Sequence, residues 1–477
     1  MVPGTPRCFT PTQLIMGSVG AEWGLGQADV AAYGLGGRVQ LDLRVSGSKN
    51  AALPVIAATL LVAGSPAPLV LHNIPVIADV LRMLEILQRI GGVVHAVDCH
   101  SQVDCTVTLS LADVRLEGRD VAANPAFRLL RGSYYYMGAL LAAGIRRGEF
   151  PLPGGCPLGD RPVDFHMTAL RALGAEVTAE GDRVFVSVPS TGLVASSVHF
   201  PRRTVGACIN LILAATGARG ITTITNCSPD PVVRELIRFL GVLGVQIRGD
   251  PTTTLLVTGA AAARPWPDVE FSLLPDPVVA ATYATLAAAL GESSVTISPV
   301  RLDTVDVFLR VLETFGCSVS PVGDGIRVDV RDLTAPRGQC FMTGEHPHVH
   351  TDTMALLVVL VSLSRASPVD EDPAGSPYFV FRDFVYPDRL SLSLQLNLLG
   401  ANATMEDSPG GAVIVTPTGG LHAGTVACSD LRGCASFLIA ALSGSRGSKV
   451  TLQRGYHHLS RGYPGTLLKL AKRMGLK

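Results

Sequence analysis

The chain carries little charge and no excess of either sign. Only 16% of its 477 residues are charged, and 39 Lys and Arg balance 39 Asp and Glu. That balance excludes a polybasic nucleic-acid binder and a polybasic membrane-surface protein. Anionic small ligands stay open, because a few arginines can gather in one cleft without moving the total. The ten cysteines include no CxxC pair and no Cys/His spacing of a metal site. The first residues have neither the basic region nor the apolar stretch of an export signal. These absences predict free thiols in a reducing compartment, a cytoplasmic location and no metal ligation. Apolar runs such as Met354–Leu363 are too short to cross a bilayer.

With 47% hydrophobic residues, the chain can bury the cores of two or three domains. Residues 1–37 lack periodicity and predict a poorly ordered extension, to which the residues assign no role. A strand reading follows at Val39–Val45, and a small-residue helix at Ala51–Val62. Beyond it the chain repeats itself. A Leu-rich helix ends in an apolar residue plus glycine, and a valine-rich strand leaves from there. The junctions are Ile90-Gly91, Leu173-Gly174, Leu243-Gly244, Phe315-Gly316, Leu399-Gly400 and Met474-Gly475. Each glycine reads as a helix C′ cap. A second phrase alternates with the first: an Ala/Leu-rich helix, a short turn and a β-branched strand. It occurs at Leu140–Ile145, Leu211–Thr225, Leu286–Ile297, Leu356–Ser364 and Phe437–Thr451. Six α/β modules are predicted, with helices apolar on most faces and therefore buried.

The stretch that carries chemistry is Leu152-Pro-Gly-Gly-Cys-Pro-Leu-Gly-Asp-Arg-Pro-Val-Asp-Phe-His166. Its prolines and glycines make it a loop, and Pro162 is placed to open a helix. Cys156 at its centre reads equally well as an uncovered thiol near Arg161 or as a structural cysteine in a tight turn. Lys49, at a helix start in Ser46-Gly-Ser-Lys-Asn50, reads first as an ordinary surface lysine after a turn, although a cation there opposes the helix dipole unless an anion joins it. Arg128 and Arg131 share a face, where like charges also call for an anion or an acid. Arg202-Arg203-Thr204-Val205-Gly206 opens a helix after Pro201, with free amides and two guanidiniums suited to phosphate.

Pro153-Gly-Gly-Cys-x-x-Gly-x-Arg-Pro-Val-Asp-x-His166 resembles the active-site loop of the enolpyruvyl transferases that act on UDP-N-acetylglucosamine. The resemblance covers about residues 38–475. It implies an α/β fold of two domains forming an inside-out α/β barrel of six βαβαββ repeats, with the active site between them. Residues 38–48 and 272–477 would form the domain carrying Asp352, Asp430, Arg432 and Arg461. Residues 49–271 would form the domain carrying the Cys156 loop, with the second boundary just past Pro265-Trp-Pro267.

The resemblance also implies roles. Cys156 would be the general acid that protonates C3 of phosphoenolpyruvate, and an epoxide phosphonate such as fosfomycin should alkylate it. Asp352, in Thr351-Asp352, would take the proton of the attacking hydroxyl. Lys49, Arg131, Arg161, Arg432 and Arg461 would hold phosphoenolpyruvate and its phosphate, with Asp430 of Asp430-Leu-Arg432 shaping the site. Asn50 would contact the acceptor. Arg161, Pro162, Val163, Asp164 and Phe165 would cradle uracil, and Arg202, Arg203, Thr204, Val205 and Gly206 would bind the nucleotide phosphates. The implied substrates are phosphoenolpyruvate and a uridine nucleotide, without cofactor, metal, nucleic acid or membrane. The cell-wall acceptor UDP-N-acetylglucosamine comes first, with UMP, as in nucleoside-antibiotic pathways, as the alternative. Shikimate 3-phosphate ranks lower because that sister reaction is run without a Pro-Gly-Gly-Cys loop, and an inactive nucleotide-binding paralogue would not need Cys156, Asp352 and Arg432 together.

Three departures stand out. Pro229-Asp230-Pro231-Val232 replaces Arg-Glu-Pro-Glu, Pro275-Asp276-Pro277-Val278-Val279 replaces Pro-Asp-Arg-Ile-Glu, and Phe381-Arg-Asp-Phe384 replaces an Arg-Phe segment. His346, His348 and His350 lack a cysteine or carboxylate to complete a tetrahedral site and are read as altered acceptor contacts.

Overall fold

The computed structural model describes residues 30–35, 39–97, 103–114, 116, 125–156, 158, 162–259, 268–336, 338–344, 348–366, 378–406 and 411–463. They fall into two compact units. One comprises the described residues of Gly47–Gly155 and Arg161–Leu274; the other comprises those of Trp23–Ser46, Cys156–Asp160 and Pro275–Lys477.

In the first unit the helices are α1 (Lys49–Ala58), α2 (Ala78–Arg89), α3 (Tyr135–Ala142), α4 (Asp164–Ala172), α5 (Val205–Ala215) and α6 (Pro231–Val242). Helices α1, α3 and α5 are apolar on nearly every side and are buried almost throughout, as a helix without a polar face must be. Helices α2 and α6 keep one polar, exposed side. Three sheets cover them. Their strand orders are Val269–Ser272, Leu69–Pro75, Asp104–Ser110, Val93–Val97; then Arg147–Pro151, Arg183–Ser187, Glu176–Glu180; then Ile247–Asp250, Thr254–Thr258, Ile221–Thr225, Ser197–His199. Asp104–Ser110 alternates strictly between buried and half-buried residues, so one sheet face meets the helices.

The second unit repeats this scheme with α7 (Pro277–Leu290), α8 (Asp306–Thr314), α9 (Met354–Leu363), α10 (Leu392–Asn397), α11 (Leu431–Ser443) and α12 (Gly455–Leu459). Here α7, α9 and α11 are the buried helices. Gln40–Arg44 joins this unit by pairing in parallel with Ser294–Ser298. The predicted glycine caps hold wherever they are described: Gly91, Gly174, Gly244, Gly316 and Gly400 have φ of 108°, 87°, 79°, 83° and 90°. Only glycine adopts that left-handed backbone without strain. Met474-Gly475 lies outside the described residues, as do residues 1–29 and Pro265-Trp-Pro267.

Two expectations need correction. The stretch 1–37 is not all an unordered extension, because Val30–Tyr33 pairs antiparallel with Lys449–Gln453. Backbone pairing at a sheet edge supplies the order that its composition does not announce. Nor are all the thiols free. Cys208 of α5 and Cys227, just past Ile221–Thr225, form a disulfide with Cα atoms 5.9 Å apart, and both are fully buried. A bridge between a helix and a residue just past a strand leaves no sequence signature.

The departures at Asp230 and Asp276 have a local explanation. Asp230 accepts the N–H of Val232 at 2.8 Å, and Asp276 accepts those of Val278 and Val279 at 2.8 and 3.1 Å. Each is a helix N-cap followed by proline at the first helical position, a favourable pair for starting a helix. Asp230→Ala should therefore lower the unfolding free energy by about 1 kcal/mol in urea titrations, and Asp230→Ser should restore most of it.

Candidate active site

In the second unit, chemistry gathers at the start of α9. The turn Thr351–Thr353 presents Asp352, and His350 caps it: Nδ1 accepts the backbone N–H of Asp352 at 3.0 Å. Arg389 donates from Nη2 to Oδ1 of Asp352 at 2.8 Å, and from Nη1 to Oγ1 of Thr351 at 2.9 Å. Arg432 donates to Oδ2 of Asp352 from Nη2 at 3.0 Å and from Nε at 3.4 Å. Both guanidiniums are buried. Burial alone would raise the pKa of Asp352; the charges of Arg432 and Arg389 override it and hold the carboxyl well below the usual carboxylate range. The arginines are not spent. Nε of Arg389 and Nη1 of Arg432 are buried donors without a partner among the described residues, which is costly unless an acceptor arrives.

Asp430 explains how Arg432 is aimed. It caps α11, its Oδ1 accepting the N–H groups of Arg432 at 2.9 Å and Gly433 at 3.2 Å. A cation in a helix's first turn opposes the dipole, and the carboxylates of Asp430 and Asp352 offset that. The Tyr463 ring lies 5.4 Å from the guanidinium carbon of Arg432, and its hydroxyl meets Oγ1 of Thr282 at 3.0 Å. Cys156 counts with this unit through Arg461, whose Nη1 donates to Sγ at 3.3 Å. The sulfur is half-buried rather than sealed in the core, while Arg461 is buried.

The first unit holds a second group. Lys49 begins α1, and its Nζ pairs with Asp79 Oδ2 of α2 at 2.8 Å, so an internal carboxylate answers the dipole there. Asn50 is half-buried in the same turn. Nη2 of Arg131 donates to the carbonyl of Pro162 at 3.1 Å. Val163 precedes α4, where Asp164 and Phe165 stand in the first turn. Arg202 lies over the Phe165 ring at 5.6 Å. Arg202 and Arg203 are exposed; Thr204 starts α5 without a side-chain cap, and Val205 and Gly206 open the helix. Arg128 makes an exposed ion pair with Asp182 at 2.6 Å, so an acid does answer it. Arg161 and His346 lie outside the described residues.

Sequence reasoning missed Arg389 and Asp79. In the sequence Arg389 is one cation ahead of apolar Leu390, Leu392 and Leu396; all three leucines are core. A lone arginine in a core pattern signals a buried ion pair.

Residues 35–371 match a family model described as EPSP synthase (3-phosphoshikimate 1-carboxyvinyltransferase). The chain belongs to that family. A Deinococcus deserti protein named UDP-N-acetylglucosamine 1-carboxyvinyltransferase is 34% identical to it, covering 90% of this chain and 92% of the relative. Its namesake in Deinococcus radiodurans is 35% identical, covering 91% and 92%. Among solved structures, the enolpyruvyl transferase NikO from Streptomyces tendae matches with a TM-score of 0.77 at 21% identity, over 94% of this chain and 98% of that one. An EPSP synthase from Acinetobacter baumannii matches with a TM-score of 0.64 at 15% identity, over 94% and 99%. The mixed α/β fold is that of these proteins, and this chain is an enolpyruvyl (1-carboxyvinyl) transferase. No helix among the described residues is long and apolar enough to cross a membrane.

For this transferase, Asp352→Asn should destabilise the fold by roughly 3–5 kcal/mol in urea unfolding at pH 7, because two buried guanidiniums lose their shared counter-charge. Asp383 and Asp430 remain near Arg389, which favours the lower end. The folded carboxyl is depressed, so the parent's advantage is fully present above the ordinary value of 3.8 and fades as the pH falls below it.

Proposed function

We propose that the protein transfers the enolpyruvyl group of phosphoenolpyruvate to a hydroxyl of a uridine nucleotide, UDP-N-acetylglucosamine in the first place, as a cytoplasmic step toward peptidoglycan. The observation that carries the reading is the carboxylate of Asp352 held between two buried guanidiniums that keep unspent donors. Paired guanidiniums match the carboxylate of phosphoenolpyruvate geometrically. The names of the Deinococcus relatives support the acceptor. The fold we propose is the two-domain inside-out barrel of six βαβαββ repeats, which the buried helices of each unit support.

In the proposed mechanism the acceptor oxygen attacks C2 of phosphoenolpyruvate while its proton passes to Asp352 and Cys156 gives a proton to C3. The resulting ketal loses a proton from C3, the bond from C2 to the phosphate oxygen breaks, and phosphate leaves. Lys49, Arg131, Arg161, Arg432 and Arg461 stabilise charge on phosphate and carboxylate. A carboxylate clamped by two arginines is a poor base. Asp352 gains proton affinity only as Arg389 and Arg432 turn from it to the substrate's carboxylate, so the substrate itself readies the base. Asp430 acts through Arg432.

UMP is the second reading. It is favoured by the capping pairs Asp230-Pro231 and Asp276-Pro277, which stand where the family has acidic and basic acceptor-side residues, and by His350 as the cap before Asp352.

Phosphate release from phosphoenolpyruvate, with UDP-N-acetylglucosamine and UMP in separate reactions, decides the acceptor; silence with both would refute the transfer. Fosfomycin should add to Cys156 in intact-mass spectra and leave Cys156→Ser unmodified. That variant should lose about a hundredfold or more in turnover.

A further inference from the structure

Near the first turn of α5, a chain of hydrogen bonds through three helices fixes the place of one proton. The backbone N–H of Gly138 in α3 donates to Oδ1 of Asn210 in α5 at 3.0 Å. With its oxygen engaged there, Asn210 turns its amide nitrogen toward Nδ1 of His166 in α4, at 2.7 Å. Nδ1 must accept, so the neutral imidazole carries its proton on Nε2. Asn210 is fully buried and His166 is only 7% exposed.

The other end of the ring has a different neighbourhood. A Cβ placed on Gly206 would lie 3.2 Å from Nε2, so the ring tip approaches the backbone at the second residue of α5 because that residue is glycine. The first-turn amides there receive no side-chain cap from Thr204, and among the described residues the only hydrogen-bond partner of His166 is Asn210, at Nδ1. Tyr134 packs edge-on against the imidazole at 5.6 Å, and its buried hydroxyl also meets no partner among the described residues. Arg131 is close enough to act on both rings. Arg202 and Arg203 precede the same helix, and Arg202 rests on Phe165, the neighbour of His166.

We infer that His166 is a ligand-binding residue whose Nε2–H, with the first-turn amides of α5, donates to a phosphate oxygen of the acceptor nucleotide, and that Asn210 is the positioning residue that holds its tautomer. This rests on the uridine-nucleotide reading and adds to it a contact of a different kind from the arginines. Burial first, and Arg131 second, push the imidazole down to about 3. The ring therefore stays neutral across the working range and gives a directed donor whose strength does not change with pH. The arginines attract any phosphate; the imidazole selects where its oxygen sits.

The test uses the full chain with 15N-labelled histidine, His166 being assigned by difference from His166→Gln. Imidazole spectra between pH 5.5 and 8 should show His166 as the neutral Nε2–H tautomer throughout. UDP-N-acetylglucosamine, whose diphosphate does not titrate in this range, and UMP are then added in separate samples, and the one that binds should shift the Nε2 proton. By calorimetry, His166→Phe should weaken that nucleotide roughly tenfold to a hundredfold, with kcat changing less than KM, and His166→Gln should recover most of the affinity. A protonated ring, an Nδ1–H tautomer, or nucleotide binding with an unmoved Nε2 signal and unchanged affinity in His166→Phe would overturn the inference while leaving the nucleotide reading intact. If neither nucleotide binds but pyrophosphate shifts Nε2–H, the phosphate donor stands and the nucleotide reading falls. If no probe shifts it, the inference fails.

Discussion

The second unit depends on one buried ion group, Asp352 between Arg389 and Arg432. Two guanidiniums in a protein interior are expensive, and here a single carboxylate supplies both with bonds. The elements around it serve that arrangement. Asp430 caps α11 and so sets the backbone position of Arg432, while Thr351 links Arg389 to Asp383. His350 caps the turn that points Asp352 inward. The same contacts give the group its chemical character: it is a carboxylate that cannot accept a proton readily until another anion takes over its partners.

The first unit handles charge differently. Lys49 is matched by Asp79, and around the start of α5 exposed arginines are combined with a neutral, directed imidazole. In both units the candidate site residues stand at helix N-termini, at α1 and α5 in one and at α9 and α11 in the other. Their amides and caps let short sequence phrases place charged groups reproducibly.

Much of this was legible in the chain. The glycine junctions marked helix ends because a left-handed helix cap tolerates little else, and α1, α5, α7, α9 and α11 announced their burial by lacking a polar face. Cys156, Lys49, Asp352, Arg432 and Arg461 were singled out because each lies in a phrase that resembles a motif of the family. Arg389 was not, because its role comes from a fold that brings it to Asp352, 37 residues away. The same applies to the Cys208–Cys227 bridge and to the pairing of Val30–Tyr33 with Lys449–Gln453, both made by tertiary contact alone. The Asp-Pro departures stood out in the chain, but the helix-capping bonds that each aspartate makes are seen only in the fold.

In the proposed mechanism Asp352 and phosphoenolpyruvate compete for the same two guanidiniums. The most direct measurement is the affinity of Asp352→Asn for phosphoenolpyruvate, by calorimetry beside the parent. With the internal carboxylate neutralised, phosphoenolpyruvate should bind more tightly while turnover is lost. Unchanged or weaker binding in that variant would contradict the competition.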